Sequence, residues 1–194
     1  MKTKEQLDLL FYNYAWRQNP CILKMDGVEI PSRRILLPIP PSDNARLMVR
    51  HGKLMSSVEH RTWSTRAMAM LAKNKLPMFA PEKNTYLHAM TIVVLTARNR
   101  DCHNYEKSLF DAIEKSQHVY LNDRQIMERH TLGIVDHTAP VEYVICYISK
   151  LEDMPQVRDY SVTSDSLKAL NDFISKGYGE HAGQKISSQD FPTI

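Results

Sequence analysis

An aspartate (Asp101), an imidazole (His103) and a lysine ammonium (Lys107) fall close together in the stretch Arg98-Asn99-Arg100-Asp101-Cys102-His103-Asn104-Tyr105-Glu106-Lys107, and a second carboxylate, Asp123, follows downstream. If this stretch is helical from about His103, Lys107 lies one turn on and shares a face with it. Asp123 comes after that helix and is expected to swing back beside Asp101. Two carboxylates and an imidazole around one point suit a hard divalent cation that keeps open positions for water and phosphate oxygens. Such a cation activates water and steadies charge on phosphoryl oxygens, and a nearby ammonium stabilises the same charge as it develops. The same residue types also have a plainer reading. Asp-x-His after a strand is often a loop with a helix cap, and Lys107 with Asp111 is often an i,i+4 surface pair.

The elements that must position these groups are legible from periodicity and punctuation. Residues 86–97, with the β-branched run Thr91-Ile92-Val93-Val94, read as the best strand and should sit centrally. A loop over Asn99–Cys102 follows, then a helix from about His103 to His118 with Leu109, Ala112, Ile113 and Tyr105 facing a core. Tyr120–Arg124 is a connector, and His130–Asp136 and Val141–Ile148 are two more strands. Upstream, Ile35-Leu36-Leu37 is a strand running into Pro38, Pro40 and Pro41, which force extended or turn backbone. Leu47–Met55 forms a hairpin turning at His51-Gly52-Lys53. Ser57 caps a helix to about Lys75 that buries Trp63, Ala67, Met70 and Leu71.

This order gives an α+β fold, a mostly antiparallel or mixed sheet with two main helices. Outside it, Thr3 opens a capping box with Gln6 for an N-terminal helix to about Gln18, followed by a Cys21–Ile30 hairpin. A polar C-terminal tail carries one short helix near Ser166–Lys176. The expected organisation is therefore residues 1–32 as an extension, 33–150 as the central domain and 151–194 as a second extension.

Composition narrows the class. Charge is uneven: residues 33–150 hold seventeen Lys/Arg against eleven Asp/Glu, while residues 151–194 hold four against seven. A basic middle suits a polyanion-binding domain. No apolar run reaches the length of a membrane span, and Glu5 and Asp8 near the start argue against a secretory signal. The three cysteines, Cys21, Cys102 and Cys146, are odd in number and widely spaced, which points to a reducing cytoplasm and argues against a zinc knuckle. His88, His118, His130 and His137 form no metal-spaced set and are read as structural.

The stretch Asp101-Cys102-His103-Asn104, Lys107 and Asp111-Ala112, with Asn122-Asp123 and Gln125 downstream, resembles the active-site signature of RusA-like Holliday junction endonucleases. That family reads D-x-D-N-x-x-K-x-x-x-D-A, then D-D-x-Q. Upstream and in order, Leu37-Pro38-Ile39-Pro40-Pro41-Ser42-Asp43-Asn44 resembles the family's P-P-S-x-N segment, and Arg50-His51-Gly52-Lys53 resembles the basic hairpin that follows it. The resemblance covers about Arg33 to Lys150. It implies a metal-dependent, structure-selective endodeoxyribonuclease that hydrolyses branched DNA, such as Holliday junctions, in recombination and repair.

By resemblance, Asp101 and Asp123 are metal-binding acids, Lys107 is the catalytic lysine, and His103 stands where the family has its second aspartate. The catalytic set is thus Asp101, His103, Lys107 and Asp123, with Asp101, His103 and Asp123 holding Mg²⁺ or Mn²⁺. Imidazole tilts the preference toward Mn²⁺. The swap removes a negative charge that Glu106, one turn from His103, is placed to restore. Asn122 likewise replaces the first acid of the usual pair. The resemblance also implies a homodimer, whose two-fold symmetry matches that of a four-way junction, and a phage or prophage origin. Asn44, Arg46, Arg50, Lys53, Arg98, Arg100 and Arg124 are the candidate DNA contacts. The alternative is a degenerate relative that binds branched DNA without cutting it, and a third reading is a basic RNA- or single-strand-binding module.

Overall fold

The computed structural model describes residues 21–25, 27–72, 77–97, 100–156 and 164–179. The expected N-terminal helix over residues 3–18 and the candidate DNA contact Arg98 lie outside the described residues. The backbone of Arg50 is described but its side chain is not.

Seven strands and three α-helices are described: β1 (Cys21–Met25), β2 (Val28–Pro38), β3 (Leu47–Arg50), β4 (Lys53–Ser56), α1 (Val58–Ala72), β5 (Leu87–Leu95), α2 (Glu106–Ser116), β6 (Ile126–Val135), β7 (Tyr143–Lys150) and α3 (Ser164–Gly179). Five strands form one mixed sheet in the order β1-β2-β7-β5-β6, and β3 and β4 form a separate ribbon. In the large sheet β5 and β6 run parallel, while the other three pairings are antiparallel. The parallel pairing follows from connectivity, because α2 carries the chain back across the sheet between β5 and β6 as a crossover.

β5 is buried at all nine positions, as a β-branched run flanked on both sides must be. At the edge, β6 shows an interrupted alternation of partly buried and exposed residues. The expected break at residue 33 falls inside β2, an 11-residue strand whose first half pairs with β1 and whose second half pairs with β7. The Cys21–Ile30 hairpin is thus part of the main sheet, and Leu23, Met25 and Ile30 join its core.

The two main helices pack on each other and share that core, α1 through Trp63, Ala67, Met70 and Leu71 and α2 through Leu109, Phe110, Ala112 and Ile113. The helix start read at Ser57 holds, since its hydroxyl accepts the His60 N–H at 3.1 Å. α2 is shorter than expected. A 3-10 turn, Cys102–Tyr105, precedes it, and Gln117 ends it in the left-handed region at φ 56°. β6 begins four residues earlier than expected, at Ile126.

The β3–β4 ribbon turns at His51 and Gly52, both at positive φ, the geometry a two-residue hairpin needs. Its cross-strand pair Val49 and Leu54 is largely exposed. α3 belongs to the same body. Leu170 and Ile174 are buried, and Asn171 accepts the Tyr143 hydroxyl at 2.8 Å and donates to Asp136. Among the described residues no helix is long and apolar enough to cross a membrane.

Candidate active site

The chain leaves β5 at Leu95, and the loop beyond it delivers Asp101 to the start of the Cys102–Tyr105 turn. There Asp101 Oδ1 accepts the His103 N–H at 3.1 Å, which fixes the first turn. The plain cap reading of Asp-x-His is therefore true of this backbone, and it leaves the rest of the exposed Asp101 carboxylate available to a ligand. Cys102, between the two, is buried, and burial first of all pushes its thiol above its ordinary value. Its sulfur donates to the Arg100 carbonyl at 3.3 Å.

A cleft of about 840 Å³ opens beside Asp101. Pro40, Pro41 and Ser42 line one side, Asp101, Asn104 and Tyr105 another, and Trp63 with Arg66 closes it from α1. Two sequence segments some sixty residues apart thus meet in one concavity. Trp63 is pinned there by donating its Nε1–H to the Pro38 carbonyl at 3.1 Å. Arg100 also lines the cleft, but Glu142 holds its guanidinium, and that hydrogen bond is the first cause of its raised pKa.

Asp43 makes the join rigid. Its carboxylate accepts the Lys107 N–H at 3.2 Å and the buried Ser108 hydroxyl at 2.7 Å, so residues 42–45 are clamped onto the N-terminus of α2. A carboxylate there answers orphan amide donors and the positive end of the helix dipole. Nearby, Asp111 is shared between Arg46 at 3.2 Å and Lys107 at 3.5 Å. His60 packs against this network, and burial first, then the Arg46 charge, lowers its pKa. Arg46, a candidate DNA contact, is thereby committed to Asp111, with its side chain only 22% exposed. Lys107 keeps 59% of its side chain exposed.

His103 is tied to Glu106, with Nδ1 and Oε1 2.8 Å apart, and Glu106 also accepts the Thr131 hydroxyl from β6. His130, the preceding residue on β6, has its pKa lowered by burial and then by the charge of His103.

Asp123 does not join this group. It opens the 3-10 turn Asp123–Gln125 just before Ile126, which pairs with Leu87 at the beginning of β5, whereas Asp101 lies beyond the end of β5. Its nearest described ion-pair partner is Arg129, at 3.9 Å. The expected swing back beside Asp101 has no described hydrogen bond or ion pair behind it, and the crossover helix returns the chain to the start of β6 just after Asp123. Arg124 travels with it.

The neighbouring residues Asn122 and Gln125 have a structural purpose there. They form a reciprocal capping box, and Gln125 Nε2 donates to the Glu82 and Thr85 carbonyls. Among the described residues no three His, Cys, Asp or Glu side chains are arranged to hold a metal ion. Asp101 and His103 nevertheless offer one carboxylate and one imidazole on a single exposed turn. That donor set fits a Mg²⁺- or Mn²⁺-type ion, which keeps several waters and takes substrate phosphate oxygens as further ligands.

The model of the family described as Endodeoxyribonuclease RusA matches residues 38–144, more than half of the chain. The chain belongs to the RusA endodeoxyribonuclease family. No curated protein matches it. The matched RusA region begins at the last residue of β2 and ends in β7, so it contains both lips of the cleft, both main helices and the ribbon. β1, most of β2 and α3 lie outside the match yet pack into the same sheet and core.

Sequence reasoning passed over Asp43, Ser108 and Glu142. Asp43 occupies the variable position of the P-P-S-x-N segment, and Ser108 follows the lysine of the second motif. Neither stands out until the two segments are in contact. Glu142 gave no signal, since its role depends on Arg100 crossing from another loop.

Proposed function

We propose that this protein is a structure-selective endodeoxyribonuclease that cuts branched DNA, four-way junctions among them, by divalent-metal-assisted hydrolysis of a phosphodiester. The observation that carries the reading is the cleft itself, where the Pro40-Pro41-Ser42 segment meets Asp101 and Asn104 at the N-terminus of the helix that bears Lys107. Asp101 and His103 would hold the ion, Mg²⁺ or Mn²⁺. When bound, the ion supplies an activated water and charge stabilisation at the phosphoryl oxygens.

The protein's own residues orient the strand and balance charge. Lys107 is exposed and paired with Asp111 only at 3.5 Å, so its ammonium can turn to a phosphate oxygen at little electrostatic cost. Asn44, on the clamped 42–45 segment, and Lys53, on the ribbon opposite the backbone of Arg50, are exposed and suited to contacts with the DNA backbone. Arg46 and Arg100 contribute through the carboxylates they already hold, and Arg124 contacts DNA only where it runs past the far end of α2. Two copies about a two-fold axis present two such clefts to opposed strands of a junction.

The pairing of Asp123 with Arg129, rather than with the Asp101 turn, favours a second reading in which the protomer binds junctions and cuts them poorly. Cleavage of a labelled four-way junction in Mg²⁺ and in Mn²⁺, with Asp101→Asn alongside, tests both. Paired nicks that disappear in the variant support the nuclease. Junction binding that persists in EDTA, with no nicks in either metal, supports the binder.

A further inference from the structure

We propose that Glu106 is the positioning residue for the metal-binding imidazole. Anchored by Thr131, it holds the Nδ1–H of His103 and so leaves Nε2 as the donor atom for a divalent cation. The inference rests on the reading of His103 as a metal ligand and adds to it the residue that makes a histidine workable at that position.

The geometry leaves little freedom in how the ring is protonated. An ionised carboxylate only accepts hydrogen bonds, so the contact of 2.8 Å between Nδ1 and Glu106 Oε1 requires the proton on Nδ1 in the neutral ring. The lone pair then sits on Nε2. In water neither ring nitrogen is held to one role, so a carboxylate partner decides the tautomer.

Taken alone, an i,i+3 His–Glu contact is an ordinary surface pair. Two observations set this one apart. The His103 side chain is 72% exposed while that of Glu106 is only 16% exposed, so the carboxylate is the fixed member and the ring the presented one. Glu106 is also tied across to the sheet, because the Thr131 hydroxyl on β6 donates to the same Oε1 that faces His103. Strand, helix and turn thus converge to hold one ring. A second partner that orients a ligand imidazole and raises its basicity usually alters metal affinity by about 10- to 100-fold when removed. Glu106 would therefore act on a bound ion through the ring.

The test uses the full-length protein without DNA, at one fixed, mildly alkaline pH. Long-range ¹H–¹⁵N correlation spectra report the tautomer of His103, and Mn²⁺ titration followed by EPR reports affinity, for wild type, Glu106→Gln, Thr131→Val and His103→Ala. Circular dichroism checks that each variant is folded. The expected result is an Nδ1–H tautomer in wild type that shifts toward Nε2–H in Glu106→Gln. Mn²⁺ affinity should fall about 10-fold in that variant and by a smaller factor in Thr131→Val.

Three outcomes overturn the proposal, and they differ in what else they remove. If His103→Ala leaves Mn²⁺ affinity unchanged, the metal-ligand reading falls with it. If His103→Ala weakens binding while Glu106→Gln does not, only the positioning role fails. If Glu106→Gln weakens binding with the His103 tautomer unchanged, Glu106 is a direct ligand instead.

Discussion

The clamp between Asp43 and the start of α2 can be measured as a coupling energy. Asp43 accepts two hydrogen bonds, from the Ser108 hydroxyl at 2.7 Å and the Lys107 N–H at 3.2 Å, from a position 64 residues earlier in the chain. A hydrogen bond to a charged group contributes about 1.5 kcal/mol net at the lower end of its range, and a carboxylate at a helix N-terminus adds about 0.5 kcal/mol. Asp43→Ala should therefore cost about 3.5 kcal/mol. Ser108→Ala removes only the shared bond and should cost about 1.5 kcal/mol. The double variant has no shared bond left to lose, so it should resemble Asp43→Ala, with a coupling of about 1.5 kcal/mol. Urea unfolding of the four proteins at neutral pH measures the cycle, and Asp43→Ala should also lower Tm by roughly 10 °C for a chain of this size. A coupling below about 0.5 kcal/mol, which is within ordinary additivity error, would refute the idea that this clamp joins the two lips of the cleft.

Other outcomes follow from single contacts. Asp136 is held below its ordinary pKa, first by the Thr138 hydroxyl and with help from Asn171. Its stabilising contribution is complete above the ordinary aspartate value of about 3.9 and is lost as pH falls from there through the depressed folded-state value. Asp136→Asn should flatten that acid limb of the stability profile, and superimposable limbs would count against it. Trp63→Phe removes the Nε1–H bond to the Pro38 carbonyl and should cost about 1–2 kcal/mol by urea unfolding; a change under about 0.5 kcal/mol would mean that the bond does not hold the cleft wall. Glu142→Gln frees Arg100 from its carboxylate and should tighten junction binding and steepen its salt dependence by up to about one unit of slope. An unchanged slope in filter-binding or anisotropy titrations would mean that Arg100 never reaches phosphate.

Local chemistry determined much of this protein before any tertiary contact was considered. The β-branched run of β5 could be buried only as a central strand, Ser57 could start α1, and His51-Gly52 could turn a two-residue hairpin. The apolar spacing of α2 made Leu109, Ala112 and Ile113 core residues. These readings succeed because periodicity, capping and turn geometry act over a few residues. Two ordered motifs were enough to suggest the RusA family for the same reason, since each is a short string of residue types.

What the string could not carry is direction over long distances. The sequence places Asp123 only a helix away from Asp101, and a helix that doubles back would bring the two together. Whether it does depends on the next strand. β6 runs parallel to β5, so the crossover delivers Asp123 to the turn just before Ile126, where its described ion-pair partner is Arg129. Likewise, Arg46 and Arg100 read as free cations, because the carboxylates that hold them, Asp111 and Glu142, come from elements 65 and 42 residues away. Asp43 and Thr131 acquire their roles in the same way. Sheet order and strand direction are set by burial summed over the whole core, and they decided which of the chemically suitable residues share a cleft.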